Sequence, residues 1–204
     1  MKRTSTDAEY LDSGKLVIDA DGVPFEPASK GYVDQRVPID SFTGTGSPEG
    51  KVAAPVGSVY TDTAATNGAI RWIKSSGAGN TGWRVEYGDT GWREIPLITG
   101  TGRALVRRTE KSVTLRLVGV ALEGNYAVHV VVLPSGFRWA APQTFLTVSP
   151  TGGKTSVWSM YSGASVSWLR NTTDTFDRPT TPQSGSVAFD TGDPWPTTLP
   201  GTPA

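Results

Sequence analysis

The central part of the chain alternates between hydrophobic and polar residues with the period of two that predicts β-strands. N-G, Gly-rich and D-T-G turns separate the alternating runs. The runs are GSVYTD (57–62), IRWIKSS (70–76), WRVEY (83–87) and WREI (92–95). This pattern predicts a small β-meander of about four strands over residues 57–98.

The tetrapeptide TGWR occurs twice in this meander, at 81–84 and at 90–93. In each copy a glycine ends a turn and a tryptophan begins a strand, which predicts a hairpin with D-T-G as its turn. The two tryptophans would then lie at opposite ends of the strand pair. We expect the aromatic side chains of the meander to pack in its core or against neighbouring chains: Trp72, Trp83, Tyr87 and Trp92.

Residues 99–192 contain a longer series of short, regularly spaced strands, which is typical of a β-sandwich or jelly-roll-like domain. The strand-like runs are RALVRRT, SVTLRLVGVAL, NYAVHVVVL, TFLTVSP, TSVWSMYS, SVSWLRN and SGSVAFDTGD. The segment 193–204 that follows is rich in proline and predicts an extended tail. Trp195 lies between two prolines, and we expect it to lock this tail onto a neighbouring chain.

Residues 1–39 predict an N-terminal region with one short helix. KLVIDADGVPF indicates a strand followed by a D-G turn. PASKGYVDQRV at 27–37 predicts the helix, with Tyr32 and Val33 available for packing. A helix this short is marginal alone, so we expect it to pack against copies of itself about a threefold axis. Residues 40–56 are a Gly- and Pro-rich linker by composition.

The composition agrees with a mainly β protein. With 24 Gly and 15 Pro the chain favours turns over long helices, and 37% hydrophobic residues imply small cores anchored by a few aromatic rings. The 19 basic and 19 acidic side chains cancel, which argues against nucleic-acid binding by charge. No run approaches the roughly 18 apolar residues of a membrane span, so we expect no membrane insertion. The polar start MKRTSTDAEY carries no apolar segment typical of an export signal.

The residues that usually carry catalysis are scarce. The chain has no cysteine, which excludes disulfides, thiolate catalysis and cysteine metal sites. The one histidine, His129, lies in a strand-like run without a nucleophile motif beside it. TGTG at 43–46 lacks the GK[ST] ending of a phosphate loop. Asp174 and Asp177 fit a polar loop better than the paired acids of a glycosidase. We expect no catalytic residue, no metal site and no cofactor.

Four aromatic residues of the C-terminal domain are candidates for sugar binding. Exposed Trp and Tyr rings stack on the apolar faces of sugars, whereas buried ones fill cores and subunit interfaces. Both interpretations stay open for Trp139, Trp158, Tyr161 and Trp168.

Residues 46–88 carry an ordered series of short motifs. A Gly-x-Pro-x-Gly lead-in is followed by Ala-Pro-x-Gly-Ser-x-Tyr-x-Asp, by a strand with an aromatic residue and Lys, and by Gly-x-Gly-Asn-Thr-Gly-Trp. In this order the motifs resemble a module of bacteriophage tail-fibre and minor tail proteins. ASKGYVDQRV at 28–37 resembles an element of phage fibres. DPWPTTLPGTPA at 193–204 is similar to the C-terminus of minor tail proteins from phages of actinobacteria.

This resemblance implies a structural protein of the virion, on the phage tail or a fibre, assembled in the host cytoplasm. It implies an intertwined parallel homotrimer whose N-terminal part attaches to other tail or baseplate proteins. It also implies a C-terminal head that faces outward and can meet glycans of the host cell envelope. The family pattern contains no catalytic residues. Two alternatives stay open: a purely structural component such as a head fibre, capsid decoration or tail-tip connector, and a depolymerase of cell-wall polysaccharide.

Overall fold

The chain divides into two compact units, Met1–Ile39 and Asp40–Ala204. The computed structural model describes residues 17–18, 24–25, 40–122, 129–150, 155–160, 165–168 and 180–204. In the first unit β1 (Val17–Ile18) pairs antiparallel with β2 (Pro24–Phe25), on either side of the predicted D-G turn. The predicted helix at 27–37, with Tyr32 and Val33, lies outside the described residues.

A four-stranded sheet begins the second unit, in the order β3-β4-β5-β6. Its strands are β3 (Ser41–Gly44), β4 (Val59–Asp62), β5 (Ala69–Lys74) and β6 (Trp83–Gly88). β4, β5 and β6 are antiparallel neighbours, as the alternating pattern predicts, whereas β3 runs parallel to β4. β3 lies in the segment assigned to a linker by composition. The composition did not predict this strand. β3 pairs through its backbone groups, and its Ser, Thr and Gly residues give no side-chain pattern typical of a strand.

A nine-stranded antiparallel sheet forms the larger part of this unit, in the order β10-β13-β12-β11-β14-β9-β8-β7-β15. Its strands are β7 (Arg93–Ile95), β8 (Thr101–Thr109), β9 (Ser112–Ala121), β10 (His129–Val132), β11 (Gln143–Val148), β12 (Thr155–Met160), β13 (Ser165–Trp168), β14 (Gln183–Asp190) and β15 (Thr202–Pro203). Each strand-like run predicted in 99–192 contains a strand. β11 and β14 join the two halves of the sheet at the pair Val148–Ser184.

Both halves of the larger sheet contribute to one hydrophobic core. Residues of β8 and β9, such as Val106 and Leu115, are buried together with Val131 of β10 and Trp158 of β12. The protein is therefore mainly β, and the shared core is consistent with the predicted sandwich. No helix occurs in the part of the chain that the structure describes.

The second TGWR copy does not form a hairpin with the first. β6 belongs to the four-stranded sheet, whereas β7 pairs with β8 and β15 in the larger one. The hairpin prediction is wrong because the chain leaves the first sheet at Asp89, which bridges to Thr109 of β8. The two copies share only local geometry, since Gly82 and Gly91 both have positive φ.

An irregularity in the pairing of β5 with β6 changes the face of two residues. Trp72 and Trp83 are buried as predicted, but the register shifts on both sides of Arg71. A shift of one residue moves the following side chains to the opposite face of a strand. Tyr87 is consequently 58% exposed and Ile70 41% exposed, so Tyr87 does not pack in the core of its own chain.

The Pro-rich tail packs on its own chain. Trp195 is buried with residues of the four-stranded sheet, and β15 pairs with β7 at the edge of the larger sheet. The sequence predicted that Trp195 locks onto a neighbouring chain, and the structure instead places it in a core of the same chain. We call residues 193–204 the C-terminal strap.

Candidate functional surfaces

The motif-bearing residues of the small sheet close around the indole ring of Trp83. The ring Nε1 donates a hydrogen bond to the Val52 carbonyl oxygen at 2.8 Å. Phe42 and Tyr60 meet the ring edge to face, with centroids 6.4 and 6.2 Å away. Burial raises the pKa of the Tyr60 hydroxyl, and the nearby Asp62 carboxylate raises it further. This aromatic cluster is the centre of the small core.

Lys74 and Glu49 hold the GNTGW segment from two sides. Lys74 is fully buried, donates to the Thr81 carbonyl oxygen and lies 5.9 Å from the Trp83 ring centroid. The Glu49 carboxylate accepts hydrogen bonds from the backbone N–H groups of Gly82 at 3.1 Å and Trp83 at 2.7 Å. Bonds to a charged acceptor are stronger than neutral ones. The lead-in motif and the GNTGW motif are therefore partners in space.

Two further motif residues satisfy backbone groups across the module. Gly50 donates its N–H to the Asn80 carbonyl oxygen at 2.8 Å, and the Asn80 side-chain amide donates to the Gly50 carbonyl oxygen at 2.9 Å. The buried Asp62 carboxylate accepts the Gly46 N–H at 2.8 Å. Each bond joins motif pieces that are separate in the sequence.

The strap residues Trp195 and Pro196 are held by Asn67 of the N-G turn. The Trp195 Nε1 donates to the Asn67 carbonyl oxygen at 2.9 Å, and the Asn67 side-chain amide donates to the Pro196 carbonyl oxygen at 2.9 Å. The indole lies against Gly88, where an added Cβ would come within 3.0 Å of the ring. The strap therefore packs against the N-G turn, and Asn67 is buried.

Arg108 of β8 joins the strap to the larger sheet. Its guanidinium lies 5.0 Å from the Trp195 ring centroid and donates to the carbonyl oxygens of Gly136 at 2.6 Å, Pro194 at 2.9 Å and Asp193 at 3.0 Å. Burial lowers the pKa of Arg108 to about 10, and the charge of Asp193 opposes this shift. Its Nε also donates to the Glu110 carbonyl oxygen at 2.8 Å. The group stays protonated at neutral pH and therefore satisfies four carbonyls at once.

Sequence reasoning did not single out Arg108 or Asn67. Asn67 fits a simple N-G turn, and Arg108 is one of two adjacent arginines in an exposed-looking strand. Their strap partners Pro194 and Pro196 are 86 and 129 residues away in the chain. A local sequence pattern does not indicate a contact between residues so far apart in the chain.

Two of the four predicted sugar-binding rings are buried. Trp139 is 5% exposed and packs edge to face on Phe189 with centroids 6.1 Å apart, and Trp158 is fully buried. A ring that stacks on a sugar must reach solvent, so the sugar-binding prediction is wrong for both, and they are core residues. Trp168 lies directly opposite Trp158 in the pairing of β12 with β13, and Tyr161 lies outside the described residues.

The residues predicted to pack in cores or interfaces divide by exposure. Trp72, Trp83 and Trp195 share the buried cluster of the small sheet. Trp92 is half-buried just before β7, where its carbonyl oxygen accepts the Ala204 N–H at 3.2 Å. Tyr87 faces solvent.

An open groove of about 540 Å³ lies between the small sheet and the β8–β9 turn. It is lined by Ile73, Arg84, Val85, Glu86, Thr109, Glu110, Lys111, Ser112 and Asp190. Two cations and three carboxylates therefore face this space together with the aliphatic Ile73 and Val85, which suits a ligand that has several hydroxyl groups and an apolar face.

The described part of the chain contains neither a candidate metal site nor a candidate membrane-spanning helix. No three His, Asp or Glu side chains there come close enough to hold a metal ion. The same residues include no helix of the length and apolar character needed to cross a membrane. His129 lies on β10, at one edge of the larger sheet.

Comparison with known proteins gives no independent assignment. No protein-family model, no curated protein and no solved structure matches the chain. The functional inference therefore depends on the motifs and the geometry described above.

Proposed function

We propose that this chain is a structural protein of a bacteriophage virion, a minor tail protein or tail fibre. The observation that carries the proposal is the closure of the 46–88 motifs around Trp83. Glu49 of the lead-in and Lys74 of the strand motif each contact the GNTGW segment. The ordered pattern that resembles the phage module thus corresponds to one folded object and not to scattered matches. The strap, which also resembles minor tail proteins, packs on the same object.

The proposed protein is an intertwined parallel homotrimer with a jelly-roll-like head and an N-terminal region that attaches to tail or baseplate proteins. Support comes from the size of the small core, which contains six buried residues among those described: Ala54, Tyr60, Ala69, Trp72, Trp83 and Trp195. So small a core stabilises a sheet weakly, and contacts with identical chains are a common remedy in a protein without disulfides.

Immunogold labelling tests the location of the protein. Antibodies against the full chain are applied to intact phage particles released from cells that carry its gene. We expect gold at the tail or its fibres. Particles that lack the chain altogether, in labelling and in an immunoblot of purified particles, would contradict the virion proposal.

Host contact is proposed at the open groove, because two of the predicted aromatic platforms are buried. The exposed cations Arg84 and Lys111 and the facing carboxylates can hydrogen-bond sugar hydroxyls. Fluorescently labelled full chain carrying Arg84→Glu and Lys111→Glu should bind host cells at least tenfold more weakly than wild type. Arg116→Glu, on an exposed part of β9 away from the groove, is the matched control. Equal binding by all three proteins would remove the groove from this role.

A purely structural role without receptor binding is the second candidate. The burial of Trp139 and Trp158 favours it, because the head then lacks two of its four expected sugar platforms. Labelling on the capsid, together with no binding of the full chain to host envelopes, would select this candidate. In both roles the chain is proposed to be non-catalytic, so purified envelope incubated with it should release no sugar.

A further inference from the structure

The outward surface of β11, between β12 and β14, exposes aliphatic side chains. Leu146 and Val148 of β11 are 57% and 51% exposed, and Val157 of β12 lies directly opposite Leu146. Phe145 and Thr147, which alternate with them, are buried in the core. We call this surface the uncharged face, and it comprises Thr144, Leu146, Val148, Thr155, Val157 and Ser184.

The absence of charge on this face is local. β11 and β12 contain no Asp, Glu, Lys or Arg, and in β14 only the last residue, Asp190, is charged. Other strands place charges on their exposed positions, as Arg84 and Glu86 do on β6 and Arg116 does on β9. Neighbouring exposed aliphatic side chains, with only Thr and Ser and no charge among them, are suited to contact with protein.

We propose that the uncharged face lies along the symmetry axis of the homotrimer, against the same face of the identical chains. This inference rests on the trimer of the proposed function and names the surface that forms it. A symmetry axis brings each residue close to its own copies, so any charge there meets a like charge and is repelled. A face with no charge avoids this repulsion. Leu146 and Val148 then bury their apolar surface, and the Thr and Ser hydroxyls can pair with their copies.

Cysteine crosslinking tests the contact directly. The natural chain has no cysteine, so Leu146→Cys introduces the only thiol. A residue near the axis meets its own copy, and mild oxidation should link most chains into disulfide-bonded pairs on a non-reducing gel. Val56→Cys is the matched control, because Val56 is also aliphatic and 60% exposed but lies beside the small sheet. A small side chain at an exposed position should leave the fold intact, which circular dichroism checks.

Charge reversal provides a second readout. Leu146→Lys should convert trimers into monomers in mass photometry, whereas Val56→Lys should stay trimeric. An equal mixture of Leu146→Lys and Leu146→Glu chains should associate again in part, because a mixed trimer has two pairs of opposite charges and one pair of like charges at the axis. Restored association also excludes misfolding as the reason for the loss.

Several results would overturn the proposal. One is a wild-type chain that stays monomeric at micromolar concentration. Another is Leu146→Cys that crosslinks no better than Val56→Cys. A third is Leu146→Lys that stays trimeric but loses binding to host cells, since the face would then contact the host. The labelling of virions is independent of all three, so failure here and failure of the virion proposal are distinguishable.

Discussion

Glu49 is an exposed residue whose carboxylate closes a loop onto a sheet. It accepts the N–H groups of Gly82 and Trp83, at the point where β6 begins and no strand lies on the outer side of Trp83. The lead-in motif therefore replaces a missing neighbour strand at this position. Hydrogen bonds of Gly50 with Asn80 and of Gly46 with Asp62 also hold the lead-in, so loss of the Glu49 carboxylate should weaken this closure without opening it.

Glu49→Ala should lower the free energy of unfolding by about 1.5 kcal/mol, which is at the lower end of the range for hydrogen bonds to a charged group. We expect the lower end because water can reach the Gly82 N–H and replace part of the lost hydrogen bonding. Urea unfolding followed by tryptophan fluorescence measures it. Glu49→Gln keeps an acceptor oxygen and should recover part of the difference. A wild-type urea midpoint for Glu49→Ala would show that the carboxylate does not close the loop.

Asp89 gives the chain a predictable response to acid. Its hydrogen bond from Arg107 holds the pKa of the Asp89 carboxyl below the usual 3.8; burial opposes this, and a bond from the Gly91 N–H adds to it. A depressed pKa in the folded state stabilises the protein above the unfolded pKa. That contribution is lost as the pH falls through the folded value.

Asp89→Asn should therefore be less stable than wild type at neutral pH, and the difference should shrink below about pH 3.8. The partners are each 40% exposed, so we expect at most about 1 kcal/mol at neutral pH. Urea midpoints at neutral pH and at about pH 3 measure the two differences. A gap of equal size at both values would assign the stabilisation to another cause.

At the scale of elements, the end of the strap closes one edge of the larger sheet. β15 pairs with β7, and Arg93 donates to the carbonyl oxygens of Pro200 at 2.8 Å and Gly201 at 2.9 Å. Gly201 has a φ of 54°, and an added Cβ would overlap the Glu94 carbonyl group. Glycine is needed here for both reasons.

Gly201→Ala should detach β15 and leave β7 as the edge strand. We expect amide hydrogen exchange at Glu94 and Thr202 to quicken at least tenfold, with a loss of stability of about 1 kcal/mol or more. Gly192→Ala is the matched control, because an added Cβ there meets no atom within 4 Å. Unchanged exchange in Gly201→Ala would mean that the pairing tolerates the added methyl group.

Strands whose side chains alternate could be predicted from the sequence, and strands defined by backbone pairing could not. β9 and β11 show the alternation because one face of each meets a core. β3 and β15 are short, contain Gly, Ser, Thr or Pro, and depend on partners elsewhere in the chain. The TGWR hairpin was predicted wrongly because a turn sequence states that the chain reverses, not which sheet it then joins.

The candidate sites were less predictable than the strands. Trp139 and Trp158 have the residue type of a sugar platform, but residue type does not distinguish an exposed ring from a buried one. The motif pieces around Trp83 were recognisable, whereas their mutual contacts through Glu49 and Lys74 required the folded chain.

At the scale of the whole molecule, the strap connects the two sheets of the second unit. Trp195 completes the small core, and Arg108 of the larger sheet stacks on the same ring. The stability of the small sheet should therefore depend on a residue that lies outside its strands.

Trp195→Ala should cost about 3 to 5 kcal/mol, and the loss should fall mainly on the small sheet because that core is small. Native-state hydrogen exchange in dilute urea should show faster exchange in β5 and β6 than in β8 and β9, relative to wild type. Trp92→Ala, at a half-buried position, should cost less. An equal effect on all four strands would show that the sheets unfold as one cooperative unit.

The strap also sets an order of events during synthesis. Trp195 follows Asn67, its hydrogen-bond partner, by 128 residues. At about 5 to 20 residues per second, the ribosome needs roughly 6 to 25 seconds to make that interval. The core of the small sheet therefore stays incomplete until the strap has been synthesised. During that time the sheet is accessible to chaperones and proteases. A nascent chain stalled before Trp195 should remain protease-sensitive at 46–88, although every strand of that sheet has already been made.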